Sequence, residues 1–457
     1  MPYIKFQVSR DKEEQVINFL RSRLKFTEYK QYLIDPKGKS VGIKVYADSI
    51  RSLAKFKKML RDLKISEKDL WDWALDLTFD SMPVLKRLVE EYQRDKPFKD
   101  LTIIVNTHLK ENTAVLCYAL KEGGANVVVV PVPYSGDEVV YEVLIENGYE
   151  IYGEPRMSYD EMAEAIRMAI DENEVDIILE DGLWITRYII DNNIELDNII
   201  GSVEQTKAGI NLAIELKDKL KYPIITVGNA ELKESVESGL ATPEAIVKMI
   251  IQAVNWSLSG KRVTIVGYGV VGRGIAKIMR NHGARVRIVE KDLNRILSAI
   301  LDGFEVMDIK EAIVDSDIVV TATGRPNVVP VDALRLAKNG ILLVNAGSKD
   351  YEIDIQGLRE IALAEELTSR EGIKRYRIKD YDGREKTLLV AADGFPINLA
   401  LGEGTPSDAI DITLSLMAES ARHLIEAERY PVDLHGVPKD IQEKIARYKL
   451  EALGHNI

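Results

Sequence analysis

Apolar residues in the first 75 positions alternate between two periods. YIKFQV (3–8) reads as a strand, and EEQVINFLRSRL (13–24) has the spacing of an amphipathic helix. Two more strands, EYKQYLI (28–34) and VGIKVYA (41–47), flank a DPKGKS turn, and SIRSLAKFKKMLRDL (49–63) returns to helical period. The order βαββα predicts a small α+β module over residues 1–78. It carries no chemical motif, and an appended structural or oligomerisation unit is its simplest reading.

From about residue 80 the pattern changes. LTIIVNTHL (101–109), NVVVVPVP (126–133), VDIILEDG (175–182) and YPIITVG (222–228) are near-continuous apolar runs, separated by helical stretches such as MSYDEMAEAIRMAI (157–170). Strands of that kind are buried on both faces, which predicts a parallel sheet sandwiched by helices. A long helix at 242–258 leads into a second strand–helix series that begins at KRVTIVGYG. The fold expected is therefore α/β, two doubly wound Rossmann-like parallel-sheet domains plus the small N-terminal module.

Composition narrows the function. A chain of 457 residues suits two or three domains at about 100–200 residues each. No run is apolar enough to span a membrane, and the N terminus has no secretory h-region, so a cytoplasmic protein is expected. A net charge of −12 disfavours nucleic acid as a partner. Cys117 is the one cysteine and there are five histidines, too few for a Cys-clustered zinc site, so no metal is expected.

The strongest local signal lies in 261–292. Strand VTIV runs into Gly267-x-Gly269-x-x-Gly272, a helix follows, and a second strand ends at Glu290. Gly267 makes the tight turn, Gly269 admits a pyrophosphate to the backbone, and Gly272 lets helix and strand pack closely. Glu290 is placed to accept ribose hydroxyls and to repel a 2′-phosphate, which favours NAD over NADP. DIVVTATGRPN (317–327) and GILLVNAGS (340–348) are buried strands whose ends, at Thr323, Gly324 and Asn345, would cover the cofactor.

With these residues in place, the chain resembles the S-adenosylhomocysteine hydrolase family from about residue 80 to the end. GYGVVGRG (267–274), which includes Val271, is similar to the family's GYGDVGKG loop. NLALGEGTPS (398–407) resembles its NLxxxxGHPS segment, and RYPVDLHGVPKDIQEKIARYKLEALG (429–454) resembles its C-terminal YPVGVHxLPKxLDE region. The resemblance implies a substrate-binding domain near 80–236 completed by 405–457, an NAD-binding domain near 240–400, and a homo-oligomer, in the family a tetramer. It also implies NAD-dependent hydrolysis of a small-molecule nucleoside thioether to adenosine and homocysteine. The steps would be 3′-oxidation, elimination, water addition and reduction, with the cofactor carrying the hard chemistry.

Residue by residue, the resemblance implies catalytic roles for His108 in THLKENTAVL, Asp181 in ILEDGLWIT, and Lys233 and Glu237 in GNAELKESVESG. Asn398 would hold the nicotinamide carboxamide, and Thr206 is the retained member of three cofactor-contacting threonines. Taken singly, each has a plainer reading: a satisfied core histidine, a helix cap, a solvated Lys–Glu pair four apart on one helical face. The family register shifts the balance toward function.

The departures cluster in the substrate pocket. Asn112 and Lys110 replace a glutamate that reads the adenine amino group and a threonine. Gln205 replaces a ribose-binding glutamate, and Ser348 and Thr405 replace two histidines. Lys110 and Lys207 together favour a more acidic ligand. Three readings remain open: the family hydrolase, the same chemistry on a different nucleoside-like substrate, and a non-catalytic NAD-binding regulatory paralogue.

Overall fold

The computed structural model describes residues 75, 77–196, 198–427 and 430–455, preceded by the backbone of three strands. Those strands are β1 (Tyr3–Ser9), β2 (Tyr29–Leu33) and β3 (Ser40–Tyr46), paired antiparallel in the order β1-β3-β2. They coincide with the expected strands, while the expected helices at 13–24 and 49–63 lie outside the described residues.

The first large sheet is built from β4 (Thr102–Asn106), β5 (Asn126–Val129), β6 (Glu150–Ile151), β7 (Ile177–Glu180), β8 (Gly201–Glu204) and β9 (Ile224–Thr226). All of its pairings are parallel. Helices cover both faces, so the central strands bury every residue, as the unbroken apolar runs require. β5 and β6 lie on one side of β4 and β7 to β9 on the other. The strand order therefore reverses between β4 and β7, and a crevice opens at their carboxyl ends.

The second sheet comprises β10 (Arg262–Val266), β11 (Arg285–Val289), β12 (Glu305–Val306), β13 (Ile318–Thr321), β14 (Ile341–Asn345), β15 (Ala362–Leu367), β16 (Ile373–Lys379) and β17 (Glu385–Ala391). Its order is β12-β11-β10-β13-β14-β17-β16-β15, with the reversal between β10 and β13. The sheet is mixed: β16 runs antiparallel to both neighbours. That edge is exposed on one face: β15 alternates half-buried with exposed positions, and β16 buries Ile373, Tyr376 and Ile378 between exposed or half-buried ones. The β16–β17 hairpin turns at Asp382-Gly383, where Gly383 has φ +78°.

A last short strand, β18 (Leu434–Gly436), pairs with β9 and extends the first sheet. Helix Ser407–Glu426 returns to the first sheet with it and is buried at every position from Asp411 to Ala421. Its Asp411 carboxylate accepts from the Val84 and Leu85 amides at 3.1 and 2.9 Å. Helix Pro83–Asp95 has no cap of its own, so this distant residue satisfies its free N-terminal donors. Glu419 accepts from the Tyr92 hydroxyl and the Lys444 ammonium, tying in helix Lys439–Ala452.

Candidate functional site

One cavity of about 1180 Å³ lies between the carboxyl ends of the two sheets. Both topological switch points open into it, one through Thr107, His108 and Asp181, the other through Gly267 and Thr323.

The glycine loop is shaped by sterics. Gly267 has φ +99°, and a Cβ there would stand 2.6 Å from the Ala322 carbonyl oxygen. A Cβ on Gly272 would stand 2.1 Å from the Gly267 carbonyl oxygen, so helix Val270–Asn281 could not close on β10. At Gly269 the nearest atom is an Arg295 nitrogen 3.8 Å away, which leaves open space at the helix N terminus. Such a cradle fits the pyrophosphate of a dinucleotide. Glu290 accepts from the amides of Tyr268 (2.8 Å), Lys291 (2.7 Å) and Asp292 (3.1 Å), which hold its carboxylate at the lip of the loop.

The opposite lip depends on a residue that sequence inspection passed over. Glu352 is fully buried and accepts from the Thr323 amide (3.0 Å), the Thr323 hydroxyl (2.9 Å) and the Gly324 amide (2.7 Å). Burial raises its carboxyl pKa. Thr323, Gly324, Val271 and Asn398 line the cavity, as does Thr206, which caps helix Lys207–Glu215 by accepting from the Gly209 amide. Gly272 and Asn345 stand behind the wall. Asn345 spends its side chain inside the fold: its amide donates to the Lys349 and Gly394 carbonyls, and its oxygen accepts from the Gly347 amide.

The four residues expected to be catalytic converge. Asp181 follows β7 directly, in a turn fixed by two buried carboxylates. Glu180 accepts from the Ile185 and Thr186 amides, and Glu204 from the Gly182 and Leu183 amides. Burial, with the Glu237 charge, raises the Asp181 carboxyl to about 7, against the pull of Lys233 and Lys349. His108 Nε2 lies 3.8 Å from the Asp181 carboxylate, and its Nδ1 pairs with the Ser135 hydroxyl. Burial and then Lys110 hold the His108 pKa down at about 3, so its imidazole is neutral at physiological pH.

Lys233 and Glu237 are 8% and 6% exposed, which excludes the solvated-pair reading. Their geometry also departs from the α-helical expectation. Residues Glu234–Ala241 form a π-helix, whose wider turn brings the residue five along against Lys233. The Lys233 ammonium accordingly donates to Ser238 at 3.1 Å and stands 3.5 Å from Glu237, which also accepts from the Thr413 hydroxyl.

The substrate-side wall is made of side chains. Asn112 and Lys110 are buried, and Lys110 donates to the Gly402 carbonyl across the cleft at 2.9 Å. Thr405 pairs with Thr242 at 3.1 Å, and Ser348 lines the cavity beside Gly347. Gln205 and Thr107 face the cavity, and their buried Oε1 and Oγ1 have no partner among the described residues. Lys207 is paired with Glu234 at 3.2 Å, so its charge is answered within the protein. Tyr134, unmarked by any sequence motif, stacks on Phe395 at 4.5 Å and donates to the Ser348 carbonyl. Only the tertiary fold brings these segments together.

Comparison with known proteins agrees with this arrangement. Residues 240–404 match a family described as S-adenosyl-L-homocysteine hydrolase, NAD binding domain. The chain is 35% identical to an adenosylhomocysteinase of Sulfolobus acidocaldarius, over 82% of this chain and 90% of the relative. It is 34% identical to an S-inosyl-L-homocysteine hydrolase of Methanopyrus kandleri, over 86% and 93%. An adenosylhomocysteinase of Pyrococcus abyssi is 36% identical over 82% and 89%. With its glycine cradle built for NAD and this likeness along most of its length, the chain belongs to the S-adenosyl-L-homocysteine hydrolase family.

Proposed function

We propose that this protein hydrolyses a purine-ribosyl homocysteine thioether to the nucleoside and homocysteine, by transient oxidation of the ribose 3′ carbon. The observation that carries this reading is the convergence of the buried Lys233, Glu237 and Asp181 and the largely buried His108 on the cavity that the glycine loop enters. Residues near 240–400 would form the cofactor domain, and 80–236 with 405–457 the substrate domain. Gly267, Gly269, Glu290, Thr323 and Asn398 would hold NAD, which supplies reversible hydride acceptance when bound.

Lys233, steadied by Ser238 and Glu237, is placed to take the proton from the 3′-hydroxyl. Asp181 titrates near neutrality, so it can both take and return the proton of the acidified 4′ carbon. The neutral His108 beside it can pass a proton to the departing sulfur or from the entering water. The unpartnered Gln205 oxygen would accept from a ribose hydroxyl.

Asn112 favours a second reading for the base. A carboxylate there can only accept, which suits an exocyclic amine, whereas an amide both donates and accepts. That pair matches the O6 and N1–H edge of a 6-oxopurine. The Methanopyrus relative is an S-inosyl-L-homocysteine hydrolase. The test is thiol release by NAD-loaded protein from S-adenosyl- and S-inosyl-L-homocysteine in parallel. Faster release from the inosyl substrate supports the oxopurine reading, and faster release from the adenosyl substrate refutes it. Release from neither, with NAD bound, overturns this reading and leaves the same chemistry on a different nucleoside-like substrate or a binding-only paralogue. The homo-oligomeric state implied by the family is read by light scattering.

A further inference from the structure

Next to the cavity-lining Gly347 and Ser348 stands a cation that no step above uses. Lys349 sits in the loop that follows β14, and among the described residues no carboxylate lies within 4 Å of its ammonium. Instead the ammonium lies 4.0 Å from the ring centroid of Trp184, the residue three past Asp181. Trp184 is itself stacked on Tyr159 at 5.2 Å, so the ring is a fixed platform. The loop is equally fixed. Asn345 binds the Lys349 carbonyl, Tyr134 binds the Ser348 carbonyl, and Gly347 is pressed against the buried Glu352, where a Cβ would stand 1.8 Å from a carboxylate oxygen.

A cation from the second sheet's loop is thereby delivered against the turn of the first sheet that carries Asp181. We propose that Lys349 is a positioning residue for proton transfer: by docking on Trp184, three residues past Asp181, it brings a positive charge toward Asp181 and biases that carboxyl toward its charged form. The proposal rests on the proposed reaction for its catalytic consequence, but not for its geometry.

The charges facing Asp181 come from every surrounding element. His108 is 3.8 Å away and neutral. Lys233 and Lys349 favour the carboxylate, and Glu237 disfavours it. Glu204 and Tyr134 also feel the Asp181 charge. Lys349 in turn faces Arg187, Glu204, Asp181 and Asp350, and burial leaves its own pKa lowered. Lys233 is required for the redox step proposed above, which leaves Lys349 as the adjustable cation.

The test compares Lys349→Met and Lys349→Arg with the parent in the pH dependence of kcat/KM for thiol release, using whichever of the adenosyl or inosyl thioethers the parent cleaves. Removing the cation favours the protonated carboxyl, so the limb near pH 7 moves to higher pH in the Met variant, by about one unit. The Arg variant keeps its limb where the parent's is. An unmoved limb in a Met variant that still binds NAD overturns the proposal, as does an equal shift in the Arg variant. Should the Met variant not fold, Lys349→Gln takes its place under the same criteria.

A parent that cleaves neither thioether defeats the proposed reaction and leaves this inference to a second readout. Protein carrying 13C-labelled aspartate carboxyls is titrated by NMR, with Asp181→Asn used to assign the signal. An upward shift of the Asp181 midpoint in Lys349→Met supports the coupling, and an unchanged midpoint rejects it.

Discussion

The two walls of the cleft are built from different materials. On the cofactor side, Gly267 and Gly272 are dictated by backbone: an added Cβ at either would meet a carbonyl oxygen at 2.6 or 2.1 Å. On the substrate side, Asn112, Gln205, Ser348 and Thr405 present side chains, at positions where the sequence reading expects departures from the family pattern. A wall made by main-chain sterics tolerates almost no substitution. A wall made by side chains can change its hydrogen-bonding character one residue at a time while the scaffold stays unmoved. The turn that bears Asp181, a residue of the proposed catalytic set, is held rigidly as well, by backbone amides donating to the buried Glu180 and Glu204 carboxylates.

The hardest test of that contrast is Gly272→Val. The added carbons cannot be placed without separating helix Val270–Asn281 from β10, so NAD binding should vanish in a calorimetric titration. Measurable binding at near-parent affinity would show that the cradle is more pliable than its sterics imply. Next comes Lys233→Ala, expected to lower thiol release by about 10²–10⁴-fold while NAD still binds. Retained turnover would move the base elsewhere.

A smaller effect is expected on the side-chain wall. Asn112→Glu should change the ratio of S-adenosyl to S-inosyl turnover by about 10–100-fold toward adenosyl, with Tm unaltered. An unchanged ratio would mean that Asn112 does not read the base.

The least effect is on stability. The Asp181 carboxyl is raised from 3.8 to about 7 in the folded protein, so folding favours its protonated form. Its contribution is complete below pH 4 and is lost as pH rises through 7. Asp181→Asn should therefore match the parent's Tm near pH 4 and exceed it by roughly 2–5 °C at pH 8. A gap that shrinks with rising pH would contradict the buried-acid assignment.

Sequence pattern located much of this. β-branched runs marked β4, β5, β7 and β9, and the glycine spacing marked the cradle, because both signals are local. The β15 to β17 edge escaped notice although Asp382-Gly383 is a hairpin signal, since its strands alternate in polarity within a region read as parallel. The Lys233–Glu237 pair was implied by the family resemblance, but nothing in the sequence marked the π-helix that turns Ser238 toward Lys233. A helix of that pitch is selected by what it packs against, and here Thr413 of a helix 176 residues away binds Glu237.

The amino-acid order by itself determined the two α/β series and the NAD cradle, and it raised the expectation that His108, Asp181, Lys233 and Asn398 belong to a family pattern. These rest on periodicity, steric need and short motifs, all contained within single segments. Tertiary structure alone decided that Asp411 caps a helix at residue 83, that Glu352 shapes the loop at Thr323, and that Lys349 reaches Trp184. Those contacts join positions far apart in the chain. Their strength comes from burial, where an unpaired donor or charge is costly, and burial exists only once both sheets and their helices have closed around the cleft.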